Sequence, residues 1–145
     1  MVENVAKNLK LMQTLDDAWN SQDWETFKKR HAQNVAVYWP GQPKPTMGRE
    51  AHYKESQDFF KTFDNRLVNN PYIVLFGQGN HTCSIADWTA TMIGPFKMPD
   101  GKIIQPTHKT AKLDFCTVAT WKNDEIIEEK LFYDSLGLMK QLGIM

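Results

Sequence analysis

Glu129 is the residue whose setting most needs a reason. It falls in the run Ile126-Ile127-Glu128-Glu129-Lys130-Leu131-Phe132-Tyr133-Asp134, which reads as a β-strand. Alternate residues of a strand face opposite sides, so Glu129 shares a face with Ile127, Leu131 and Tyr133. A carboxylate among such neighbours is costly unless it is paired or employed. A salt bridge to Lys112 or Lys130 would make it structural. Without one, its apolar surroundings raise its pKa toward values useful for general acid/base work. His52 is the second candidate. It recurs at helical spacing with Ser56, Phe59, Phe60 and Phe63, so it points at the sheet, either as a satisfied core histidine or as the partner of Glu129 in an acid/base pair. Tyr133 could donate a hydrogen bond to a substrate carbonyl or enolate, or stand as a core tyrosine. Trp19, Trp39 and Trp88 supply cavity wall or plain core, and Phe59, Phe115, Thr117 and Leu131 face inward with them. Asp134 reads as a helix cap, His31 and His108 as surface or loop residues, and Asp16 and Asp17 as part of a solvated helix face.

Other chemistries find no support in the residue pattern. The four histidines lie far apart, without a His-x-His or His-x-x-x-His pair, which argues against a metal. There is no glycine-rich phosphate loop and no nucleophile elbow, which leaves cofactor-free proton transfer or simple binding. Seventeen acidic and seventeen basic residues cancel, and no basic run exists to meet nucleic acid or an anionic membrane. No apolar run approaches bilayer-spanning length. Cys83 and Cys116 sit in strand-like runs without ligand spacing; with no signal peptide in view they read as reduced thiols of a cytoplasmic protein. Asn80-His81-Thr82 fits a glycosylation sequon by chance. The least ordinary feature is the five tryptophans and eight phenylalanines, a density that suits a lined cavity as well as a plain core.

The elements that must position these residues can be read in order, over one domain spanning 1–145. Val5, Leu9, Met12, Leu15 and Trp19 predict an amphipathic helix over about 2–20, and a second helix follows from about Asp23 to His31. Val35 to Trp39 is a short strand ended by Pro40-Gly41, and a third helix runs from Gly48 to about Phe63. Then come strands over Tyr72–Phe76 and His81–Ile93, a long turn from Gly94 to Gly101, and a strand over Thr107–Trp121. That last strand forms a hairpin with the Glu129 strand through Asn123-Asp124. A short helix closes at Gly143. This is an α+β chain, three helices gathered on a curved antiparallel sheet to make a cone with an apolar interior and a mouth.

Several stretches carry a family resemblance. Asp134-x-x-Gly137-x-x-x-Gln141-Leu142-Gly143, Asn123-Asp124-Glu125-Ile126, Ala18-Trp19-Asn20, Gly48 and the Gly94-to-Gly101 turn with Met98-Pro99 resemble SnoaL-like polyketide cyclases and ester cyclases of the nuclear-transport-factor-2-like superfamily. The resemblance spans nearly the whole chain and implies the cone fold. In aldol cyclases of this family an aspartate acid/base lies three residues before the Asp134 position, where this chain has Leu131. A pocket histidine lies two residues earlier still, at Glu129, and another falls near Thr117. The scaffold matches and the chemical groups differ. The resemblance therefore implies a small, apolar or carbonyl-bearing ligand. It leaves open a cofactor-independent cyclase, isomerase or lyase using Glu129, His52 and Tyr133, or a noncatalytic binding module. It also implies a homodimer through the outer sheet face, where Ile126 and Phe132 would lie.

Overall fold

A computed structural model describes residues 2–98 and 100–145. The chain begins with α1 (Val2–Ser21) and α2 (Trp24–Lys29), followed by β1 (His31–Tyr38), β2 (Thr46–Met47) and α3 (Arg49–Thr62). It continues through β3 (Phe63–Val68), β4 (Val74–Gln78), β5 (His81–Met92), the short pair β6 (Phe96–Lys97) and β7 (Ile103–Ile104), β8 (Thr110–Lys122), β9 (Glu125–Phe132) and α4 (Ser135–Gln141). Seven strands form one curved, unclosed sheet in the order β2-β1-β9-β8-β5-β3, with β4 also on β5. The helices lie over its concave side, and the expected α+β cone is the observed architecture. Among the described residues no helix is long and apolar enough to cross a membrane.

Local chemistry explains the main joints. The β8–β9 hairpin turns on Asn123 and Asp124, both at positive φ (52° and 66°), the geometry a two-residue hairpin demands and these residue types tolerate. Gly48 enters α3 with φ +99°, which only glycine adopts without strain, so the helix bearing His52 starts where it does. Asp134 caps α4 by accepting from the Gly137 amide at 2.8 Å. Asn20 clasps the β3 backbone, accepting from the Leu67 amide at 2.8 Å and donating to its carbonyl at 2.7 Å. That clasp ties the end of α1 to the sheet, and Trp19 beside it enters the core.

Several expectations need correction. The second helix ends at Lys29, and His31 opens β1 instead of closing the helix. The strand β3 was not foreseen, because α3 passes into it at Phe63 with no intervening turn residue. The Gly94-to-Gly101 turn contains β6, which pairs with β7 just beyond it, and Pro99 within the turn lies outside the described residues. The sheet is also not antiparallel throughout: β1 runs parallel to β9, with Val37 beside Glu129. Finally, a bulge in β9 sets Thr120 opposite Glu128 but Trp121 opposite Ile126, leaving Ile127 as the extra residue. Strand parity flips there. Ile126 is fully buried and Ile127 is exposed, so Ile126 belongs to the core and not to an outer, dimer-forming face.

Candidate functional site

The concave side encloses a cavity of about 40 Å³ walled by α1, α3 and the long strands. Trp19, Trp39, Trp88, Phe115, Thr117, Leu131, His52 and Glu129 all line it, together with Met12, Leu15, Asp16, Phe27 and Leu67. Phe59 and Tyr133 stand one layer back. Phe59 stacks on Trp39 at 5.6 Å, and Tyr133 stacks on Phe115 at 5.4 Å. Burial pushes the Tyr133 phenol above its usual range, so it keeps its proton. The volume admits roughly three waters, so a ring compound enters only if side chains of the wall move.

Two indoles of the wall share one anchor. Asn65 Oδ1 accepts from Trp19 Nε1 at 2.8 Å and from Trp88 Nε1 at 3.0 Å, while its amide donates to the Phe63 carbonyl at 3.0 Å. This satisfies the polar edge of each indole away from the cavity and leaves their apolar faces for it.

The polar end of the cavity is a chain of ionisable groups. Glu129 is 4% exposed, on the inward face that strand parity assigns it. Lys130 instead pairs outward with Glu128 at 3.7 Å. Two histidines face Glu129. His52 Nε2 lies 3.3 Å and His31 Nε2 3.4 Å from its Oε1. His52 Nδ1 donates to Glu55 Oε2 at 2.7 Å. Glu55 is itself held by Trp39 Nε1 at 2.8 Å and Thr46 Oγ1 at 2.7 Å. Burial opposes the charge on His52, but the two carboxylates outweigh it and raise the imidazole to about 9. Burial likewise tends to raise Glu129, yet the two imidazoles beside it overcome that effect and hold the carboxylate well below its usual range. The pair is therefore ionised near neutrality, and Glu129 is a weak proton acceptor.

Two further groups were missed by the sequence reading. Asp16 is not on a solvated face; it is 5% exposed and lines the cavity. Tyr72 donates to its Oδ2 at 2.6 Å. Burial, against the lowering effect of that hydrogen bond and helped by the charge of Glu129, raises the Asp16 carboxyl to about 7. Burial and the adjacent Asp16 push the Tyr72 phenol up, so it remains a donor. The signal was available: Asp16 completes the spacing 12, 15, 16, 19 of the inward stripe formed by buried Met12 and Leu15 and half-buried Trp19. His31 is not a surface residue either. It is 0% exposed, with Nδ1 donating to the Phe27 carbonyl at 2.7 Å. No local pattern marks it, since its burial depends on β1 pairing with β9. Taken together, the cavity offers a carboxyl that titrates near neutrality, a fixed cation–anion pair and aromatic walls. Such a set can orient an apolar carbonyl compound and exchange a proton beside it.

Comparison with known proteins agrees with this architecture. The family described as SnoaL-like polyketide cyclase matches residues 9–142. No curated protein matches the sequence. Among solved structures, a protein from Jannaschia sp. CCS1, provisionally described as a SnoaL-like polyketide cyclase, superposes with TM-score 0.84 at 19% identity over 97% of this chain and 94% of its own. A Xanthomonas campestris pv. campestris protein, provisionally described as a polyketide cyclase, gives 0.82 at 18% over 96% and 98%. One from Kribbella flavida DSM 17836, provisionally described as a ketosteroid isomerase, gives 0.68 at 14% over 91% and 81%. These likenesses concern the fold.

Proposed function

The chain belongs to the SnoaL-like polyketide cyclase family, and from that membership we propose that it binds a small, largely apolar carbonyl compound and exchanges a proton on the carbon beside the carbonyl, as a cyclase or isomerase does. The observation that carries this reading is Asp16, a carboxyl at about 7 inside the same aromatic-walled cavity as His52 and Glu129. Ionised Asp16 accepts the proton from carbon, and the resulting enolate takes a proton back from the same carboxyl at the same or another position, which returns Asp16 to its ionised form. A base is most effective when its pKa lies near the working pH, which suits Asp16 better than Glu129. The His52–Glu129 pair supplies a fixed dipole at the polar end and orients the ligand. The aspartate that family cyclases carry at the Leu131 position is thus replaced, in this proposal, by one from the opposite wall. Leu131 itself and the small cavity favour a second reading, a noncatalytic binder.

Deuterium exchange separates the two. Incubation of the protein in D₂O with simple aryl ketones such as 1-tetralone, followed by proton NMR, should show catalysed loss of the α-proton signal. Asp16→Asn should slow it about 10²–10⁴-fold. Exchange undiminished in that variant removes Asp16 as the base. Tryptophan quenching by the ketone without any catalysed exchange supports the binder.

A further inference from the structure

Among the described residues, His31 Nε2 and Arg49 Nε are the buried side-chain polar atoms without a hydrogen-bond partner. His31 is fully buried, so its orphaned nitrogen calls for an explanation. Its surroundings provide one. Both imidazoles near Glu129 are anchored through Nδ1, His31 on the Phe27 carbonyl and His52 on the Glu55 carboxylate, each at 2.7 Å. A carbonyl oxygen can only accept, so His31 Nδ1 carries a proton and Nε2 is the ring nitrogen left to face Glu129 Oε1. That is how metal-binding histidines are oriented: the far nitrogen donates to a carbonyl or carboxylate, fixing the tautomer and aiming the near nitrogen. Glu55 is in turn held by Trp39 and Thr46, so this outer support is itself rigid.

The inner distances point the same way. A charge-assisted N–H···O bond closes to about 2.7–2.9 Å, which the His52–Glu55 contact reaches. Both contacts to Glu129 Oε1 stay longer, at 3.3 and 3.4 Å. Ligands about 2.0–2.1 Å from a tetrahedral zinc stand roughly 3.3 Å from one another. The donor atoms of His31, His52 and Glu129 all lie within 4.8 Å of one another.

We infer that His31, His52 and Glu129 form a binding site for a divalent transition metal, with zinc the ion that two imidazoles and one carboxylate suit best. The set leaves a fourth coordination position. His52 and Glu129 line the cavity, so that position opens toward it. Binding the ion displaces the Nε2 proton of His52 to solvent, as metal ligation of an imidazole requires, and the site goes beyond the proton-exchange reading, which needs no metal. It would add a Lewis acid at the polar end of the same cavity.

The test is binding and not turnover. Protein stripped with EDTA and desalted is titrated with Zn²⁺ by calorimetry, and bound zinc is counted by mass spectrometry after a second desalting. One equivalent per chain is expected. His31→Ala and Glu129→Gln should each weaken binding at least 100-fold, and Glu55→Gln about 10–100-fold through the loss of orientation at His52. His81→Ala and His108→Ala, away from the site, should bind as the parent does. Circular dichroism of the stripped variants establishes that they are folded. Should Glu129→Gln fail to fold, His31→Gln takes its place. Co²⁺ in place of zinc should give the intense visible absorption of a four-coordinate ion, lost in His31→Ala. Less than one tenth of an equivalent in the parent, or undiminished binding in folded His31→Ala, overturns the site. Neither outcome alters the deuterium-exchange result expected of Asp16.

Discussion

Replacing Asp16 by asparagine should stabilise the protein in alkaline solution and leave it nearly unchanged in acid. In the folded state this carboxyl stands at about 7 against 3.8 for its ordinary value. A group whose pKa is raised on folding contributes stability that is fully present below the unfolded value and lost as pH rises through the folded one. For Asp16 that window runs from about pH 4 to pH 7. A difference of roughly three pK units at 1.36 kcal/mol each corresponds to about 4 kcal/mol. Asparagine keeps the oxygen that accepts from Tyr72 and has no charge to bury, so it escapes the loss. The measurement is urea unfolding of both proteins at pH 4, 6 and 8, with EDTA present throughout. The groups facing Asp16 are Tyr72, Asp17 and Glu129. Tyr72 keeps its proton in both proteins, and the repulsion from Glu129 that helps raise Asp16 vanishes in the variant, so it forms part of the measured gap. The stability gap in favour of the variant should widen by about 4 kcal/mol between pH 4 and pH 8. A gap constant across that range to within about 1 kcal/mol would mean that Asp16 ionises freely and is not desolvated, and the role argued for it would go with it.

Two other outcomes follow from the same geometry. Asn65→Leu leaves the Trp19 and Trp88 indole N–H groups unpaired in the core and should cost about 2–4 kcal/mol in urea unfolding; a loss below about 1 kcal/mol would mean that the indoles find other acceptors. Phe76 and Phe132 are more than half exposed, and we propose that a second copy of the chain covers the outer face of the sheet that carries them. Sedimentation equilibrium at micromolar concentration should then give a dimer that Phe132→Asp dissociates, and a monomeric parent protein removes the idea.

Much of this protein is legible in its sequence because the deciding interactions are local. The 3.6-residue stripe makes α1 and α3 and turns His52 inward. Asn123-Asp124 turns the hairpin, and Asp134 caps the final helix. Parity along β9 puts Glu129 on the buried face. Each rests on residues within one helical turn or a few strand positions of one another, where period and capping chemistry act without help from the rest of the chain. Asp16 stands at the edge of what is legible. It fits the buried stripe by spacing, but its acidic type alone argues for solvent. Only the packing of α1 over the sheet, with Tyr72 arriving from the loop before β4, settles that it is inside.

The remaining features depend on register between distant segments. The bulge at Ile127 reverses the parity of β9 below Glu128, exchanging the positions of Ile126 and Ile127, and it arises from how β9 pairs with β8 and not from any residue type within it. The parallel pairing of β1 with β9 carries His31 from the end of a helix to the side of Glu129. No spacing within the chain could announce that meeting. A buried polar cluster is assembled from residues that each find their place through a different element, so its members become neighbours only when the sheet closes around them.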